Sequence, residues 1–156
     1  MPDRQEMDMT ATTKSDMSKS TKNRPRKGCV VKTGSGYRAE QGSDYFPAVS
    51  AETIGSEMIW FGKVTIPPGG RTKAHVHELH ESAFLLLSGD NVELWTGNEL
   101  QHSEVAHAGD YLFIPANVPH VAVNRGNEPA VFIGCRNEPS AQESVVMYPA
   151  LDAKVP

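Results

Sequence analysis

The chain has 156 residues, a size that allows one domain, and its 38% hydrophobic and 22% charged residues suit a soluble globular protein with a polar appendage. Its net charge is −4, but residues 1–27 hold seven basic and four acidic residues, so residues 28–156, with eight basic and fifteen acidic, carry −7. An acidic domain does not suit phosphate-backbone recognition, and no apolar run approaches the roughly 18 residues of a membrane span, so neither nucleic acid nor a membrane is an expected partner.

Residues 1–27 contain no Leu, Ile, Val, Phe, Tyr or Trp and are rich in Ser, Thr, Lys and Asp. Such a segment buries too little apolar surface to offset its ordering, which predicts a disordered or arm-like polar tail. The N-terminus lacks the apolar centre of a secretory signal, and two cysteines, Cys29 and Cys135, are too few for a disulfide framework. A cytoplasmic protein is expected. Cys135 alternates with Val131 and Ile133 and is expected as a buried thiol. Residues 29–49 carry two β-like valines, Val30 and Val31, a Gly34-Ser35-Gly36 turn and an irregular stretch through Tyr45, Phe46 and Pro47. This segment is expected to lie across the domain as an arm without forming its core.

Residues 58–66 read as a strand, and Pro67-Pro68-Gly69-Gly70 ends it with a strong turn signal. A strand with His75 and His77 follows, then a continuous apolar strand over residues 83–88, closed by Gly89-Asp90-Asn91. Val92–Thr96 is a short strand, and Gly97-Asn98 turns the chain into an alternating, mostly polar stretch over 99–106. His102 and His107 lack a spaced partner and are expected on the surface. Tyr111–Ile114, His120–Asn124 and Ala130–Arg136 are the next strands, and residues 144–148 form a last one at an edge. Strands recurring every ~8–12 residues with turns between them predict an all-β sandwich or barrel.

Half of the six histidines fall between Gly69 and Gly89, where His75, His77, His80 and Glu81 crowd into seven residues ahead of an apolar run. In a strand, His75 and His77 point the same way at roughly 6–7 Å between Cα atoms, and two such imidazoles can close on one cation at about 2.1 Å. Glu81, four residues past His77, can bring a carboxylate to the same ion. His80 is the competing ligand. His120 follows an Asn-Val-Pro turn and opens a strand, a position from which it can face the first pair.

Together the two segments resemble the paired motifs of the cupin superfamily, and specifically its small single-domain members. Gly69, His75, His77 and Glu81 fit the first motif, with Gly89 one residue late; Gly109, Pro115, His120 and Asn124 fit the second, with Asn117 in place of its middle glycine. Counting back from Gly89 puts Ser82 where the carboxylate belongs; Ser82 is a poor ligand at neutral pH, so Glu81 is expected there, with a one-residue bulge before the strand. The resemblance spans roughly residues 58–136 within a single domain over residues 28–156. It implies a double-stranded β-helix, or jelly roll, with an N-terminal extension, and metal ligands His75, His77, Glu81 and His120.

Three imidazoles and a carboxylate suit one divalent transition metal, Mn, Fe, Co, Ni, Cu or Zn. Phe84, Leu86, Tyr111 and Phe113, or their neighbours in the opposite phase, are expected as apolar pocket walls. Arg71 and Lys73 share the face of His75 and His77 in simple alternation and are candidates to meet an anionic substrate, with solvation the reading preferred for each. The function implied is a metal-dependent enzyme of the dioxygenase, isomerase, decarboxylase or lyase class acting on an oxygenated small molecule. A noncatalytic binding or sensing module is the alternative. A homodimer is expected, with the early arm and the strand at 144–148 as candidates for exchange.

Overall fold

The computed structural model describes residue 25, residues 27–140, residue 142 and residues 144–156. The polar tail expected over residues 1–27 lies almost entirely outside the described residues. The strands are β1 (Tyr37–Arg38), β2 (Asp44–Val49), β3 (Trp60–Ile66), β4 (His75–His77), β5 (Ser82–Ser88), β6 (Val92–Thr96), β7 (His102–Ala106), β8 (Tyr111–Ile114), β9 (His120–Asn124), β10 (Ala130–Arg136) and β11 (Val145–Met147). One helical turn, α1 (Ala51–Ile54), and a 3-10 segment, Pro149–Lys154, complete the regular structure. Among the described residues, no helix is long and apolar enough to cross a membrane.

Two antiparallel sheets face each other. The first has the order β1-β2-β3-β10-β5-β8 and the second β11-β4-β9-β6-β7. Alternation sets the core: Trp60, Val64 and Ile66 of β3, Leu86 of β5 and Phe132 of β10 point inward and pack with Tyr45. The turns are built as their residues dictate. Asn117 adopts φ 59°, the left-handed conformation that Asn tolerates best among non-glycine residues, and its N–H donates to the His77 carbonyl at 2.7 Å. That bond ties the turn before β9 to the end of β4. Buried Asn124 donates to the carbonyls of Ile66, Pro67 and Glu128 and accepts from Gly126 N–H, which fastens the turn after β9 to the end of β3.

Three expectations are corrected here, and of the two readings of Lys73 the solvated one holds. The arm is part of the core: β2 pairs with β3, Tyr45 is buried against Trp60, and Gln41 is wholly buried. Cys135 is half-buried and faces outward, because Ala130, Phe132 and Arg136 hold the inward phase of β10. Arg71 does not face the site. Its guanidinium donates to the Val155 carbonyl at 2.9 Å and to the Asp152 carbonyl and carboxylate at 3.2 Å. Lys73 is exposed, and only its backbone N–H reaches inward, to the Gln41 carbonyl at 2.7 Å. The reason for both is that β4 begins at His75; residues 72–74 are not strand, and the bend at Ala74 breaks the alternation that would have carried the histidine face back to Arg71.

The C-terminal segment covers the outer face of the second sheet, with Val155 and Leu151 against Ala74, Leu100, Val121 and Val123. Asp152 also accepts from Ala74 N–H at 2.8 Å, so one carboxylate links the segment to the residue preceding β4. Both dimer-exchange candidates pair within the chain, β2 with β3 and β11 with β4. Arg71→Ala removes three hydrogen bonds from the segment and is expected to destabilise the protein by about 1–3 kcal/mol, a fall of several degrees in Tm. Its metal content should be unchanged. Thermal unfolding followed by circular dichroism, with metal analysis on the same samples, checks both.

Candidate metal centre

His75 lies opposite His120 in the pairing of β4 with β9, and His77 is two residues along on the same inner face. The ring centroids are 4.2 Å apart for His75 and His120, 4.7 Å for His77 and His120 and 5.2 Å for His75 and His77. One ring nitrogen from each of the three lies within 4.8 Å of the others, and all three residues are buried.

Hydrogen bonds orient the rings. His75 Nδ1 donates to the Lys73 carbonyl at 2.7 Å, and His120 Nδ1 donates to the Val118 carbonyl at 2.9 Å. A carbonyl can only accept, so each ring carries its proton on Nδ1 and keeps a bare lone pair on Nε2. His77 Nδ1 meets Ser82 Oγ at 3.0 Å, and its buried Nε2 has no partner. An orphaned imidazole nitrogen among two bare lone pairs fits a cation, with Ser82 accepting from His77 in the role of the outer partner that holds a ligand ring.

The interior keeps the rings neutral. Burial lowers the His75 pKa from its ordinary 6.5 to about 4, with the Lys73 bond opposing the shift and the Arg136 guanidinium adding to it. Burial also pushes His77 and His120 well below the ordinary range, and the neighbouring imidazoles push the same way. Neutral imidazole is the ligating form, so these side chains are ready for a metal near pH 7.

Glu81, expected as the carboxylate ligand, is exposed and lies outside the three-histidine group. Phase decides this. Ser82, Phe84 and Leu86 take the inward face of β5, which turns Glu81 and Ala83 outward. The extra residue that delays Gly89 falls inside β5, at Leu87, where the pairing with β10 steps from Leu86↔Phe132 to Ser88↔Val131. No bulge precedes the strand to restore Glu81. His80 is also buried and stacks on His77 at 4.6 Å, but its Nδ1 bonds Ser144 Oγ at 2.9 Å and it is not one of the three. Burial, then Arg136, lowers its pKa to about 4.

The histidines open on a cavity of about 50 Å³. Phe84 lines it as expected, and Leu86 is buried in the adjoining core. Tyr111 and Phe113 do not: they are 82% and 58% exposed, and Leu112 and Ile114, in the opposite phase, form that wall. Gln41, Ser43, Tyr45 and Thr72 line the cavity as well and were not anticipated. For Gln41 and Ser43 the available signal was weak: two polar side chains flanking a glycine turn, with nothing in the local pattern to show which way they face.

The cupin domain model matches residues 62–134, which hold all three histidines. Similar solved structures include a predicted oxalate decarboxylase from Thermotoga maritima, 22% identical over 70% of this chain and 99% of that one, with a TM-score of 0.56. Another is an uncharacterised double-stranded β-helix protein from Klebsiella pneumoniae, 18% identical over 85% of this chain and 96% of that one, at 0.55. A third is the oxalate decarboxylase of Lactobacillus farciminis in a formate complex, 21% identical over 81% of this chain, with a TM-score of 0.60. The chain spans only 36% of that protein. No curated protein matches the chain. Fold, motif and family model together define a double-stranded β-helix with a three-histidine cluster. Residues 62–134 match the cupin domain, and the similar solved structures share the double-stranded β-helix fold.

The buried histidines set a pH dependence. His75 and His80 have folded pKa values below the unfolded one, so acid favours the unfolded chain, which binds their protons more readily. Their contribution is complete above about pH 6.5 and is lost as pH falls toward about 4. Metal-free protein should therefore show a Tm that is flat from pH 8 to 7 and declines from 6.5 to 4.5, and His75→Gln should make the decline shallower. Calorimetry across that range checks it; an unchanged slope in the variant would show that His75 is not buried as a neutral ring.

Proposed function

We propose that this protein is a metal-dependent enzyme acting on a small oxygenated organic molecule, with His75, His77 and His120 as the ligands of one divalent transition metal. The observation that carries the reading is the convergence of three buried neutral imidazoles on one small cavity. Three nitrogen donors suit Mn, Fe, Co, Ni, Cu or Zn. Such an ion, when bound, supplies Lewis acidity toward a carbonyl or enolate and lowers the pKa of a bound water.

The chain's own residues do the rest. The Lys73 and Val118 carbonyls and Ser82 fix the ring orientations, and Phe84, Leu112 and Phe132 give the cavity apolar walls. Three neutral ligands with no carboxylate among them leave the charge of a divalent ion uncompensated, which favours an anionic partner such as a carboxylate or enolate. The oxalate decarboxylases among the similar structures are named for a ligand of that kind. The second reading, a noncatalytic binding module, draws on the cavity itself: among the described residues that line it, the histidines and Tyr45 are the titratable groups.

A homodimer is part of the proposal. Rows of outward side chains cross the first sheet, Phe61-Cys135-Ala83-Phe113 and Ile133-Leu85-Tyr111, and end on its β8 edge. An apolar surface of that extent suits a second copy of the same face. Light scattering should give twice the chain mass, and Phe113→Lys with Tyr111→Lys should give the monomer; a monomeric wild type sinks this part.

Protein purified without chelator should carry close to one divalent ion per chain by mass spectrometry. His77→Ala and His120→Ala should each reduce that to roughly a tenth or less, since loss of one of three ligands costs at least the 10–100-fold typical of outer-shell changes. Glu81→Gln should leave it within about twofold, as expected for an exposed side chain. Full metal content in both histidine variants would overturn the ligand assignment. Saturable ligand binding without turnover in the metal-loaded protein would select the binding module.

A further inference from the structure

Gln41 is wholly buried, and its side chain lines the histidine cavity from the arm. Its Nε2 donates to Tyr45 Oη at 3.0 Å, while its buried Oε1 has no partner. A buried acceptor left bare costs about 1–3 kcal/mol, so its presence at a cavity wall points to a ligand that completes it. Tyr45 Oη accepts a second bond, from Arg136 Nη2 at 2.5 Å. Both of its lone pairs are then used, and the phenolic hydrogen remains to be given.

Turning the Gln41 amide over would let Oε1 take that hydrogen and would leave the Nε2 donors bare instead. In either orientation the pair holds an unfilled hydrogen-bonding function. A hydroxyl group, which donates and accepts, satisfies both arrangements. Gln41 and Tyr45 lie outside residues 62–134, the part matched by the cupin domain, so this wall comes from the arm.

The ligand's size and charge follow from the same cavity. About 50 Å³ accommodates only about four water-sized groups. Arg136, buried and stacked 5.1 Å from both the Tyr45 and Trp60 rings, adds positive potential behind the histidines. We propose that Gln41 and Tyr45 determine specificity by recognising the hydroxyl of a small hydroxycarboxylate whose charged end is held at His75, His77 and His120. The proposal rests on the metal-site reading above.

The test loads wild type, Gln41→Met and Tyr45→Phe with Zn(II), measures metal per chain, and titrates each with glycolate and with acetate, which lacks the hydroxyl. Methionine matches the glutamine in volume, and phenylalanine keeps the ring stacking, so both variants retain the packing of the arm. Wild type should bind glycolate at least roughly tenfold more tightly than acetate, as a site built to pair a hydroxyl does. Gln41→Met should bring the two ligands within about threefold, with metal content and acetate affinity unchanged, and Tyr45→Phe should lower the preference in the same direction. A wild type without the preference, or a Gln41→Met protein that keeps it, overturns the proposal and leaves the metal site standing. A wild type that takes up no Zn(II) overturns both.

Discussion

Three imidazoles stand beside an apolar core that includes Trp60, Val64, Leu86 and Phe132, and burial there favours their neutral forms. Desolvation penalises the imidazolium, the Lys73 and Val118 carbonyls take the Nδ1 protons, and the Nε2 lone pairs are left facing one another. Much of the surrounding structure serves that arrangement. β9 brings His120 opposite His75, the Asn117 turn anchors β9 to the end of β4, and Asp152 holds the residue preceding β4. The same burial that makes the metal-free protein sensitive to acid prepares the site for a cation at neutral pH.

Phase along the strands decides which side chains share the cavity. On β5 the inward set is Ser82, Phe84 and Leu86, and on β8 it is Leu112 and Ile114. A shift of one residue in either strand exchanges the two faces completely. Glu81 and the Tyr111–Phe113 pair sit in the wrong phase, and so the site has a serine behind His77 in place of a carboxylate beside it. The electrostatic consequence is large for so small a displacement: the neutral cluster carries no negative charge of its own, and the positive potential at it comes from the nearby buried guanidinium of Arg136.

Both ends of the chain outside the matched barrel take part. The arm places Gln41 and Tyr45 in the cavity wall, and the C-terminal segment seals the outer face of the second sheet through Arg71 and Asp152. Arg71 shows how a basic residue beside a site is occupied elsewhere when the backbone bends before the strand begins.

The sequence by itself determined the all-β architecture, the order and nearly the bounds of the strands from β3 to β10, and the three histidines that meet. Those features are written in local signals: turn residues, period-two alternation, and motif spacing. Asn117 could be read as a left-handed residue because its tolerance for that conformation is intrinsic. Only the tertiary structure decided between Glu81 and Ser82, since the delayed Gly89 is compatible with an extra residue before the strand or within it, and the pairing of Leu86 and Ser88 with β10 puts it at Leu87. It alone turned the arm inward as well. Whether Gln41 and Tyr45 face water or a cavity depends on what β2 pairs with and on the Arg136 and Trp60 side chains that stand behind Tyr45, and that contact joins residues some ninety positions apart in the chain.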